Sequence, residues 1–178
     1  MLTLLVGGAR SGKSDLAVEI GTKHAAGGGD VTFIATAPRL DDDLLQRIER
    51  HRADRPAWPT IEEPLRLRDA VATVPDGHLL IIDCITLWTS NASYAGWSDD
   101  AVVAEAAATA AIAAGRSGHV VAVTNEVGLG VHPETELGRV YRDLLGRVNR
   151  AWAAVAQRSL LMVAGRALPL HDPWEFLP

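Results

Sequence analysis

Five short, uninterrupted apolar runs punctuate the chain: "LTLLV" (2–6), "VTFIA" (31–35), "HLLIID" (78–83), "HVVAVT" (119–124) and "SLLMVA" (159–164). Each is rich in branched side chains and lacks polar alternation, so each predicts a strand buried on both faces. The stretches between them, 14–26, 41–53, 65–73, 98–114 and 134–157, have helical character. Strands alternating with helices predict an α/β fold with a mainly parallel sheet covered on both sides. In such sheets ligands gather at the carboxyl ends of the strands, so the residues after each run are where chemistry is to be sought.

The alanine-rich "AVVAEAAATAAIAAG" is structural in this reading, since alanine is the best helix former and Gly115 can close the helix. "AAGGGD" (25–30) reads as a turn into the second strand. The tail "PLHDPWEFLP" has too many prolines for regular structure and predicts an extended arm. No repeat or linker interrupts residues 1–178, which therefore predict a single domain.

Composition narrows the partners. With 48% hydrophobic and 22% charged residues the chain reads as soluble and globular, and a net charge of -5 argues against nucleic acid and for small ligands. Cys84 is the one cysteine, which excludes an intrachain disulfide or a cysteine-based zinc cluster and suits a reducing cytoplasm. The first apolar run stops at glycines far too early for a signal peptide or a membrane span, so a cytoplasmic location is expected.

After the first strand comes "GGARSGKS", in which Gly7, Gly12, Lys13 and Ser14 fit G-x-x-x-x-G-K-[ST] without a gap. The segment Gly7, Gly8, Ala9, Arg10, Ser11, Gly12 can wrap its backbone around phosphates, with the N–H groups and the dipole of the following helix directed at them. Lys13 is expected to reach the outer phosphates and the Ser14 hydroxyl to bind Mg2+. A P-loop of this kind also requires a carboxylate at the end of a neighbouring strand, and "LLIID" supplies Asp83 as a second magnesium residue. A guanine-reading Asn-Lys-x-Asp is replaced by "TNEVG" at the corresponding place, which weakens a GTPase-switch reading.

"DDDLLQRIERHR" begins with acids and ends with arginines, the charge order of a helix over about 41–52. Leu44, Ile48 and His51 then share its apolar, inward face. Alone, such a histidine is more often a packing or capping residue than a catalyst. The neighbouring Arg50, Arg52 and Arg55 favour its neutral imidazole, which can attack phosphorus, and could hold the phosphates under attack.

Taken together, "GGARSGKS", "RHRADRPAWPTIEEP", "DCITLW", "VTNEVGLGVHP" and "RVYRDLLGRVN" resemble the bifunctional adenosylcobinamide kinase / adenosylcobinamide-phosphate guanylyltransferase family of cobalamin biosynthesis, in the right order from residue 2 to about 166. The resemblance implies a P-loop NTPase fold of RecA-like type. It implies phosphorylation of the cobinamide hydroxyl by ATP or GTP, then transfer of GMP from GTP to that phosphate through a guanylylated histidine matched by His51. Nucleotide contacts would fall on Gly7 through Ser14, on Ala35, Thr36 and Ala37, on Arg52, Ala53, Asp54 and Arg55, on Glu62 and on Asp83, and the assembly would be a homotrimer. A small-molecule kinase without guanylyl transfer is the alternative.

Two places depart from the family pattern: Asn149-Arg150 stands where Asn-Gln is usual, and "GRALPLHDPW" replaces the usual ending. Asn125 and Glu126 are expected beside Asp83, either serving the site or stabilising a turn. Arg139 and Arg142, three apart on a helix, read as a solvated face that an anionic product could use.

Overall fold

The structure, a computed structural model, describes residues 1–37 and 56–177. The branched apolar runs become β1 (Leu2–Gly7), β2 (Val31–Ala35), β4 (Leu79–Asp83), β5 (Val120–Asn125) and β6 (Arg158–Val163), joined by β3 (Thr60–Glu62) and β7 (Arg166–Leu170). The described helices are α1 (Lys13–Ala26), α2 (Leu67–Thr73), α3 (Ile85–Tyr94), α4 (Asp99–Gly115) and α5 (Glu136–Ala153). The predicted helix over 41–53 lies outside the described residues.

The seven strands run in the order β3-β2-β4-β5-β1-β6-β7, parallel throughout except for β7. Alternate side chains enter two separate cores. Leu2, Leu4, Leu80, Ile82, Val120 and Ala122 face Trp88, Ala106, Leu144 and Trp152 on the side of α2 to α5. Leu5, Leu79, Ile81, Val121 and Val123 face Ala17 of α1, with Trp58 packed against them. Each fully buried aliphatic side chain is worth about 1.5–3 kcal/mol, so a central strand apolar at every position secures both layers at once. The parallel α/β class is therefore as expected.

Helix starts follow local chemistry. Ser98 accepts from the Ala101 N–H at 3.3 Å to cap α4, and Thr135 accepts from the Gly138 N–H at 3.1 Å to cap α5. Gly115 is the last residue of α4.

Two expectations are corrected. β6 is not buried on both faces: Arg158 and Val163 are exposed and only Met162 is buried, because it lies one strand from an edge where the covering layers end. The tail from Pro169 is not wholly irregular, since Pro169 and Leu170 complete β7 and Pro173–Glu175 form a 3-10 turn. Pro169 is tolerated because β7 is the edge strand, where a missing N–H costs no ladder bond on the open side. A tight turn joins β6 to β7, with Ala164 at φ 50° and Gly165 at φ 72°, the doubly left-handed geometry that matches strand twist.

Candidate nucleotide site

The glycine loop leaves β1 at the buried Gly7, passes through the exposed Gly8, Ala9 and Arg10 and the buried Ser11, and enters α1 at Lys13. Gly12 is at φ 92°, a conformation that favours glycine, and caps α1 without a side chain, so the first-turn N–H groups point into the loop. Ser14 is half-buried in that first turn. A Cβ on Gly7 would collide with the Met162 carbonyl oxygen, and Gly165 of the β6–β7 turn donates its N–H to the Ser11 carbonyl at 3.0 Å. The hairpin thus braces the loop from behind.

Lys13 is 6% exposed. Its ammonium donates to the carbonyls of Gly7 at 3.0 Å and Gly8 at 2.7 Å and to the Ser11 hydroxyl at 3.3 Å. Burial pulls its pKa below the usual lysine value, against the opposing influence of Cys84 and Asp83. Burial, with the charge of Asp83 adding to it, pushes the Cys84 thiol up to about 12, so at neutral pH Cys84 is uncharged and Asp83 is the partner that holds the proton on Lys13.

The carboxyl edge of the sheet collects the other candidates. Glu62, Ala35 and Asp83 stand in register across β3, β2 and β4, and Gly7 pairs with Asn125. Glu62 is exposed and Asp83 half-buried. Asp83 was expected on the strand neighbouring the glycine loop; β5 intervenes, because β4 pairs with β5 and β5 with β1. That spacing belongs to the RecA-like order, and it leaves Asn125 between the two. Glu126 donates its N–H to the Gly7 carbonyl at 3.0 Å.

Thr36, fully buried, ties β2 to β4: its hydroxyl donates to the Cys84 carbonyl at 2.6 Å and accepts from the Cys84 N–H at 2.8 Å. Ala37 follows it, half-buried. The Asn91 amide donates to the Thr36 carbonyl at 2.8 Å and to the Pro64 carbonyl at 2.9 Å, so α3 fixes both the β2 end and the chain after Glu62. A second polar chain joins α3, β5 and α5. Thr124 donates to Asn149 at 2.7 Å, the Asn149 amide donates to the Asn125 carbonyl at 2.9 Å, and the Asn125 N–H donates to the Thr86 hydroxyl at 2.7 Å. Asn91 and Asn149 were not identified from sequence as site-forming; the one signal was a polar Asn149 between apolar Val148 and Trp152 on the buried side of α5.

Arg139 spends one guanidinium nitrogen on the Pro133 and Glu134 carbonyls, at 3.0 and 2.8 Å, and so closes the turn into α5. His51, Arg52, Ala53, Asp54 and Arg55 lie outside the described residues. Among the described residues no group of three or more His, Cys, Asp or Glu could hold a metal. Magnesium needs less, since one or two protein oxygens suffice beside substrate phosphates, and the Ser14 hydroxyl and Asp83 carboxylate are hard oxygen donors of that kind. No helix among the described residues is long and apolar enough to cross a membrane.

Comparison with known proteins agrees with this architecture. The chain is 40% identical over 172 residues to the bifunctional adenosylcobalamin biosynthesis protein CobP of Pseudomonas aeruginosa, covering 96% of this chain and 97% of that one. It is 36% identical over 183 residues to the CobU protein of Escherichia coli and 38% identical over 184 residues to that of Salmonella typhimurium, each match covering 93% of this chain and 97% of the relative. The family described as cobinamide kinase / cobinamide phosphate guanyltransferase matches residues 3–170, and with the glycine loop, Lys13 and Asp83 arrayed on one sheet edge the chain belongs to that family.

Proposed function

We propose that this chain carries out both reactions of its family at the carboxyl edge of the sheet: phosphorylation of adenosylcobinamide by ATP or GTP, then transfer of GMP from GTP to the phosphorylated product. The observation that carries the reading is the family match over residues 3–170, which spans the glycine loop and the His51 block alike.

In the kinase step the acceptor hydroxyl attacks the γ-phosphorus and the nucleoside diphosphate leaves. The loop N–H groups and the α1 dipole hold the phosphates, and Lys13 exchanges its carbonyl partners for phosphate oxygens as negative charge builds. Ser14 and Asp83 would hold Mg2+, which supplies charge neutralisation to the phosphates when bound. Thr36 and Ala37, fixed by Cys84 and Asn91, Arg10 of the loop, Glu62 at the end of β3 and the segment Arg52–Arg55 would border the nucleotide.

In the transfer step a ring nitrogen of His51 attacks the α-phosphorus of GTP, an N–P bond forms and pyrophosphate leaves. An oxygen of the cobinamide phosphate then attacks the same phosphorus, the N–P bond breaks, and the histidine is regenerated as adenosylcobinamide-GDP forms. Arg50, Arg52 and Arg55 would keep the imidazole neutral and offset the charge of the phosphates. A homotrimer in the cytoplasm, where both nucleotides are available, completes the reading.

GTP labelled at the α-phosphate tests it directly. Denatured wild-type protein should retain an acid-labile label, while His51→Ala should retain none yet still phosphorylate adenosylcobinamide. Label retained by the variant would assign the nucleophile elsewhere, and no label on the wild type would leave a kinase alone.

A further inference from the structure

Beside the glycine loop, α5 and the turn after β5 flank a shallow, open groove of about 400 Å³ that the two reactions as described above do not use. Arg142, Gly146 and Arg150 follow one another at helical spacing along its α5 wall, with Arg147 beside them and Glu126 and Gly128 opposite. The groove adjoins the cradle, since the Glu126 N–H is bound to the Gly7 carbonyl at 3.0 Å.

The guanidinium groups in it differ in what they have left to give. Arg142 is committed: it donates through Nε to Asp143 at 2.9 Å and through Nη1 to His132 Nδ1 at 2.9 Å. Arg147 gives one nitrogen to the largely exposed Asp100. Arg150 has no side-chain partner among the described residues. Arg142 and Arg147 are thus each engaged with a carboxylate, Asp143 and Asp100, and among the described residues Arg150 is the guanidinium of the groove left free to meet an incoming anion. Gly146 supplies the room, because a Cβ placed there meets nothing within 4 Å.

We infer that this groove binds a phosphomonoester dianion, the phosphate of the phosphorylated corrinoid, with Arg150 as the planar two-pronged donor and Arg147 beside it. The inference rests on the two-step function above and adds to it a device for telling the kinase product from the kinase substrate, which differ by that dianion alone. A guanidinium suits this task because its parallel N–H groups match two phosphate oxygens at once.

Direct binding by calorimetry to the full-length protein, with adenosylcobinamide phosphate and adenosylcobinamide as separate probes, tests it without turnover. Wild type should favour the phosphorylated corrinoid, and Arg150→Gln should weaken that probe about tenfold or more, the weight of a charged hydrogen bond, leaving the unphosphorylated one within about twofold. Gly146→Leu, which fills the groove and removes a helix glycine, should produce the same selective loss without lowering the melting temperature. Equal weakening of both probes, or an unchanged preference in both variants, would overturn the groove assignment while the function stands. Failure of the wild type to bind either corrinoid would instead overturn the functional reading.

Discussion

At the scale of single residues, Lys13 concentrates the site's electrostatics. Its charge is almost wholly out of water, held by two loop carbonyls and one hydroxyl and opposed to desolvation by Asp83. Removing it takes away both a positioned charge and a donor aimed where phosphate charge develops, a loss of about 3 kcal/mol or roughly 100-fold in rate. Lys13→Ala should slow both reactions by at least that much while its circular dichroism stays that of the wild type; near-normal rates in a folded variant would remove the loop from the chemistry. Lys13 and the glycines were legible because their spacing along the chain is the device itself. Thr36 was legible only through resemblance, and its bond to Cys84, 48 residues away, not at all. The Asn91 bond back to Thr36 spans 55 residues, and no local pattern announces it.

At the scale of elements, the β6–β7 hairpin shows how a segment misread in sequence comes to support the site. Its prolines suggested an irregular tail, yet an edge strand tolerates Pro169, and the turn places Gly165 against Ser11 and Gly12. Gly165→Val puts a β-branched residue at φ 72°, costing about 1–2 kcal/mol, and the strain falls on the turn that holds the glycine loop. The variant should melt lower and show a raised KM for nucleotide in both steps. A lowered melting temperature with unaltered KM would mean that the hairpin stabilises the fold without positioning the loop. The helix α3 escaped prediction for a related reason. "ITLWTSNASY" is poor in strong helix formers, and what secures it is tertiary: fully buried Ile85, Trp88 and Ala92, and the Trp88 indole donating to the Leu65 carbonyl at 2.8 Å. The three-residue β3 is too short to carry any period.

At the scale of the molecule, the apolar runs announced strands and a parallel sheet, but not the order in which the strands lie. That order decides which loop ends face one another, and it comes from crossovers whose packing no linear pattern encodes. Here β5 enters between β1 and β4, so Lys13 and Asp83 meet across an intervening strand instead of on adjacent ones. A nucleotide bridging such a loop and such a carboxylate links strands on both sides of the centre of the sheet, and its binding free energy adds to the stability of the whole domain. At free ligand of about 100 times Kd this amounts to roughly 2.7 kcal/mol. For a chain of this size each kcal/mol moves the melting temperature by about 2–4 °C, so a rise of about 5–10 °C is expected. An ATP analogue with a β,γ-imido bridge, added with magnesium, tests this without γ-phosphoryl transfer: wild type should show the rise and Lys13→Ala little of it. A full rise in Lys13→Ala would show that the nucleotide is held without the loop lysine. No rise in the wild type at saturating analogue would show that the phosphates do not engage this sheet edge.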